Sequence, residues 1–236
     1  LDPYGKKHMK TSRSEFHTIR GIRHHVRLWG DTGQPALFLL HGWMDVSASF
    51  QFLVDALKQD WRVIAPDWRG FGLSGWTAEG YWFQDYYADL DALLDLYSPH
   101  APARVVGHSM GGLIALALAA RPWVKSITTI AAPMGGIDVN LFQSYLTRSR
   151  FINEIASHTD FISGLKKSQI SKPVQHLVST LGFNPYIYEP NDGVVTIRSQ
   201  MAVSFGEVYT IEANHTEIML DTETSARISA FVRSNE

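Results

Sequence analysis

The sequence predicts an α/β protein with a mostly parallel central sheet flanked by helices, and two observations predict it. Short buried apolar runs alternate with longer amphipathic stretches, the pattern of repeated βαβ units. The chain has 236 residues, 45% of them hydrophobic and 19% charged. That suits one large domain, which buries roughly 70% of the surface exposed when unfolded. The chain contains no cysteine, so disulfides, thiolate metal sites and a cysteine nucleophile are excluded.

Glu15 to Ile19 and Ile22 to Trp29 flank Arg20-Gly21 and read as a β-hairpin. Ala36 to Leu40 ends at His41-Gly42 and is too short for a helix, so it reads as a buried strand. Phe50, Leu53, Val54 and Leu57 repeat at helical spacing, and Arg62 to Pro66 is the next buried strand. Tyr86 to Tyr97 sets Leu90, Leu93, Leu94 and Tyr97 on one helical face. Ala103 to Val106 forms a strand followed by a helix over Met110 to Arg121, closed by Pro122. Lys125 to Ala131, Val174 to Thr180 and Glu207 to Glu212 complete the strands, and Glu217 to Val232 is the closing helix. Residues 134–172 break the alternation. They are richer in Ser, Thr, Lys and Asn, carry helical hints at Leu141 to Leu146 and Phe151 to Ile155, and read as a short lid-like insertion.

Lys and Arg number 21 against 23 Asp and Glu, a net charge of −2, which offers no surface for tracking a nucleic-acid backbone. The longest apolar run, Leu113 to Ala120, falls far short of the about 20 residues a membrane span needs. The first ten residues are basic and polar without an apolar core, so no secretory signal is read and a cytoplasmic setting is the expectation. Residues 1–12, with the His8-Met9 pair, read as a tag-like or disordered lead, leaving 13–236 as a single domain.

In such sheets, ligands gather beyond the carboxyl ends of the strands. Gly107-His108-Ser109-Met110-Gly111 stands at one of these ends and fits G-x-S-x-G. A chain this long shows that pattern by accident roughly one time in ten, but here it joins a buried strand directly to a small-residue helix. That transition is the setting of a nucleophile elbow, a strained turn tolerated when the residues two before and two after lack side chains. Ser109 is therefore the candidate nucleophile.

Three blocks now carry a resemblance: His41-Gly42-Trp43, then Pro66-Asp67-Trp68-Arg69-Gly70-Phe71-Gly72-Leu73-Ser74, then Gly-His-Ser-Met-Gly-Gly from Gly107. Together, in this order, they resemble the α/β-hydrolase superfamily over nearly the whole chain from Ser14, serine esterases and lipases in particular. The resemblance implies an α/β-hydrolase fold and a Ser-acid-His order. A serine hydroxyl needs a neighbouring base, and histidine both accepts and returns a proton. Of the histidines after Ser109, His158 sits in the insertion and His176 within a strand, whereas His215 precedes the last helix, where the family carries its base. Asp192, in Asn191-Asp192-Gly193-Val194-Val195, resembles the acid loop of bacterial lipases and would orient His215, with Asp138 in reserve. The same resemblance maps the oxyanion-hole N–H groups onto Trp43 and Met110, and sets His41 and Met134 beside the substrate pocket, with His41 expected to brace its loop rather than perform chemistry.

The expected reaction is cleavage of carboxylic esters through an acyl-enzyme, on a small-molecule substrate, with no cofactor and no metal. Gly70-Phe71-Gly72-Leu73-Ser74-Gly75 also fits G-x-G-x-x-G, but no helix starts after its third glycine, so a nucleotide cradle is rejected. His24-His25 are neighbours in a strand and point to opposite faces, so they cannot share one ion. Acyl transfer or carbon–carbon bond hydrolysis on the same residues, and a non-catalytic interaction protein on the same fold, stay open at this level.

Overall fold

The computed structural model describes residues 9–78, 80–138 and 153–235. Two strands, β1 (Ser12–Ile19) and β2 (Ile22–Trp29), form the expected hairpin. Its two-residue turn puts Arg20 and Gly21 at φ 50° and 81°, the both-positive geometry that matches strand twist in tight hairpins. The remaining strands are β3 (Ala36–Leu40), β4 (Arg62–Pro66), β5 (Ala103–His108), β6 (Val124–Ile130), β7 (Val174–Ser179) and β8 (Glu207–Ile211). They join one eight-stranded sheet in the order β1-β2-β4-β3-β5-β6-β7-β8, with every pair from β4 onward parallel.

Side chains of successive strand residues point to opposite faces, and the sheet is buried on both. Phe38, Leu40, Ile64 and Val105 pack into one apolar cluster with α2 (Phe83–Tyr97) and α3 (Met110–Ala117). Leu37, Leu39, Val63 and Val106 pack into the other, with α1 (Gln51–Ala56) and the C-terminal α6 (Thr222–Ser234). Two further helices, α4 (Asp160–Lys167) and α5 (Ile197–Gln200), lie between β6 and β8 in sequence.

Several boundaries differ from the sequence expectation for local reasons. The helix expected over Glu217 to Val232 is divided: a 3-10 turn covers Glu217–Met219, and Asp221 then caps α6 by accepting from the N–H groups of Glu223 and Thr224. The helix after Ser109 ends at Ala117 rather than Arg121. Residues 10–12 belong to the fold rather than to a lead: Lys10 donates its backbone N–H to Asp55 Oδ1 at 2.7 Å, and Ser12 opens β1. In the 134–172 stretch, α4 was not foreseen. Its Ile162 and Leu165 are buried, and Phe161 meets Phe83 with ring centroids 4.6 Å apart. The helical hint at Leu141 to Leu146 lies outside the described residues, as do the first two residues of Phe151 to Ile155. Among the described residues no helix is long and apolar enough to cross a membrane.

Candidate active site

Ser109 stands between the end of β5 and the first turn of α3, at φ 52° and ψ −120°. A non-glycine residue with positive φ costs free energy and persists only where the surroundings fix it. Its N–H donates to Ile130 O on β6 at 2.8 Å, pinning the turn to the sheet. The flanking glycines are required by backbone approach. A Cβ on Gly107 would stand 2.3 Å from Gly111 C, and one on Gly111 would stand 2.2 Å from Leu40 O.

His215 lies beyond β8 in a turn held by Asn214, whose side-chain oxygen accepts from the N–H groups of Thr216 and Glu217. Its Nδ1 is 2.7 Å from Asp192 Oδ2, and its N–H donates to Asp192 O at 2.9 Å. Both residues are buried. Asp192 Oδ1 accepts from the N–H groups of Val194 and Val195, at 2.9 and 2.7 Å, and Oδ2 also accepts from Gln200 Nε2 at 3.0 Å. With so many donors turned on it, Asp192 is an acceptor toward the ring, so Nδ1 of His215 carries the proton and Nε2 is left to accept another.

Ser109 and His215 both line a cavity of about 440 Å³, with Asp192 behind His215. Trp43 and Met110, the expected oxyanion donors, also line it. Met110 opens α3, where backbone N–H groups have no partner within the helix. Met44, Pro133, Ile137, Ile155, Val194, Val195 and Met219 make the rest of the wall largely apolar. Ile137 and Ile155 belong to the 134–172 stretch, which thus supplies part of the wall.

The two expected pocket residues do not reach this cavity. His41 is fully buried behind the loop: its Nδ1 donates to Gly42 O at 2.7 Å and its Nε2 accepts the N–H of Trp68 at 3.0 Å. Burial is the largest influence on it and lowers its pKa. His41 therefore braces the Gly42-Trp43 turn. Met134 is packed into the core beside α3, where an apolar side chain is driven from water. Asp138 lines a neighbouring cavity with Lys166 and Arg198, while Asp192 occupies Nδ1 of His215.

Two residues at the site escaped sequence reasoning. Gln200 clasps Ser179 through both ends of its amide, accepting from its N–H at 2.8 Å and donating to its O at 3.1 Å. Its neighbour Ser199 donates from Oγ to Gly136 O at 2.6 Å and accepts from Gly135 N–H at its own carbonyl. His108 Nε2 donates to His215 O at 2.7 Å, and the two rings lie 4.8 Å apart. Burial, first, and the nearby His215 hold the His108 pKa down at about 3. Its position inside the elbow motif was the available signal; Gln200 had none.

The Asp67 loop is held as a structural unit. Asp67 accepts from the N–H groups of Ser47 and Leu73, and Arg69 grips Asp89 with two hydrogen bonds of 2.6 Å.

A family model described as alpha/beta hydrolase fold matches residues 35–159, more than half of the chain. A serine hydrolase-like protein of Danio rerio is 28% identical over 212 residues, 86% of this chain and 63% of that protein. Epoxide hydrolase 4 of Mus musculus is 34% identical over 101 residues, 42% of this chain and 28% of that protein. The chain thus spans less than two thirds of these relatives' length. Among solved structures, a thioesterase domain from the curacin biosynthetic pathway superposes with a TM-score of 0.72 at 17% identity, covering 95% of this chain and 99% of that one.

Proposed function

The chain belongs to the α/β-hydrolase fold family, and from that premise we propose that it is a serine hydrolase cleaving carboxylic esters through an acyl-enzyme on Ser109. The observation that carries this reading is the strained Ser109 sharing one apolar cavity with a His215 whose Nδ1 is committed to Asp192. Ser109 Oγ attacks the ester carbonyl as His215 Nε2 takes its proton. The proton then passes to the departing alcohol. Asp192 holds the tautomer and stabilises the imidazolium. The N–H groups of Trp43 and Met110 receive the oxyanion, each worth roughly 3–4 kcal/mol of barrier. Water, activated by His215, completes the cycle by releasing the acid. The apolar wall from Met44, Ile137, Ile155 and Met219 suits an aliphatic or aromatic acyl group.

Similarity to an epoxide hydrolase raises a second reaction, and chemistry weighs against it. A serine oxygen opening an epoxide would leave an ether, with no carbonyl at which water could add, so the protein would stop after one event. An ester leaves an acyl-enzyme that water can cleave. The test is turnover of p-nitrophenyl esters from acetyl to palmitoyl, with the adduct mass mapped. Ser109→Ala is expected to abolish turnover and the adduct at that position while the circular dichroism spectrum stays unchanged; full turnover by the variant overturns the reading.

A further inference from the structure

The β1–β2 hairpin carries a second serine–histidine–carboxylate chain. Ser14 Oγ is 2.8 Å from His25 Nε2, and His25 Nδ1 is 2.8 Å from Asp67 Oδ2. Ser14 is exposed on the outermost strand, while His25 and Asp67 are buried.

The carboxylate sets the direction of the His25–Asp67 bond. Burial pushes the Asp67 carboxyl up, but the N–H groups of Leu73 and Ser47 outweigh it and hold the group below its ordinary value. A carboxylate can only accept, so Nδ1 of His25 donates to Asp67, and in that tautomer Nε2 is placed to accept from the Ser14 hydroxyl. This is the polarity that activates a serine. The hairpin register also sets Arg27 directly opposite Ser14, on the same face and within side-chain reach. Arg27 Nη1 donates to Ser12 Oγ at 3.1 Å, and its Nε is buried with no hydrogen-bond partner among the described residues.

We propose that Ser14 is a second nucleophile, a site of covalent modification by activated acyl and phosphonyl electrophiles, with His25 as its base and Arg27 facing the developing negative charge. With a fluorophosphonate, the Ser14 O–H proton passes to His25 Nε2, an Oγ–P bond forms, and the P–F bond breaks. Fluoride leaves with the bonding pair, and His25 returns its proton to solvent. None of these residues lines the Ser109 cavity, so the assignment stands apart from the proposed esterase activity.

The experiment uses the Ser109→Ala protein with an alkyl fluorophosphonate, intact mass and peptide mapping. One adduct is expected on Ser14, forming at least tenfold faster than any on Ser12, which shares the strand and its face but not the histidine. The adduct is expected to vanish in S14A/S109A and to form at least tenfold more slowly in S109A/R27Q. No adduct on Ser14, or one formed no faster than on Ser12, overturns the proposal; an unchanged rate in S109A/R27Q overturns the part given to Arg27. Labelling of Ser109 in the wild type is read separately and bears only on the esterase.

Discussion

Replacing Asp192 by Asn keeps the shape of the carboxylate and removes one acceptor, and the surroundings decide which way the amide turns. With its oxygen toward Val194 and Val195, the N–H bonds at 2.9 and 2.7 Å survive. Its NH₂ then faces Gln200 Nε2 and His215 Nδ1. Gln200 cannot turn to accommodate it, because both ends of its amide are spent on Ser179. That orientation leaves two buried donors unpaired, the Gln200 N–H that had bonded the carboxylate and the second hydrogen of the new amide. The opposite orientation leaves four, the two backbone N–H groups and both amide hydrogens facing them, at a further cost of about 1–3 kcal/mol. The first orientation therefore prevails, and the new NH₂ donates to His215 Nδ1. The imidazole proton moves to Nε2, where it blocks transfer from Ser109. Loss of the productive tautomer with geometry intact costs roughly 10⁴-fold in kcat, a barrier increase of about 5.4 kcal/mol. KM should change little, since Asp192 is buried behind His215. Steady-state kinetics on p-nitrophenyl butyrate measures both. A kcat within tenfold of the wild type would refute the tautomer argument.

Gly107→Ala should destabilise the fold by about 3 kcal/mol, the upper end for overpacking, because the new methyl would meet backbone at 2.3–2.5 Å; an unchanged urea midpoint would contradict this. Stability should also fall with acidification. Burial, the leading cause for both, holds His108 at about 3 and His176 at about 4, so between pH 6.5 and 4.5 the unfolded chain takes up protons that the folded one refuses. Each histidine then withdraws roughly 2–3 kcal/mol, and equal urea midpoints at pH 7 and 4.5 would count against it. His108→Leu, which loses the bond to His215 O, should lower kcat about tenfold, whereas His108→Gln keeps a donor at the same reach and should stay within threefold. Equal rates for the two variants would remove His108 from the positioning of the base.

The sheet was legible wherever burial on both faces left a short continuous apolar run. Ala36–Leu40 and Arg62–Pro66 match the expected bounds residue for residue, since a strand packed between two helical layers carries polar residues only at its ends, as Arg62 does here. Boundaries governed by a cap were less visible. Asp221 could be read as an ordinary polar residue inside an amphipathic pattern, yet it starts α6. Ser109 declared itself through glycines that fill steric needs. Asp192 and His215 could be named only through family order, because 23 residues separate two groups whose contact depends on loop closure. Met134 was misplaced, and His41 braces its loop as expected but from behind the cavity rather than beside it, for a related reason. Sequence neighbourhood to a loop does not say whether a side chain turns toward the cavity or into the core behind it.

Ser199 and Gln200 sit side by side on α5, one gripping the Gly135-Gly136 turn and the other gripping both Ser179 and Asp192. The start of the 134–172 excursion and the aspartate are thus bolted to the same small bracket. Exchanging that excursion for a foreign one, as a protein engineer would to alter selectivity, tugs on the acid as well. A graft that preserves the Ser199 grip leaves the Asp192–His215 contact aligned; a graft that discards it shifts that contact from a distance.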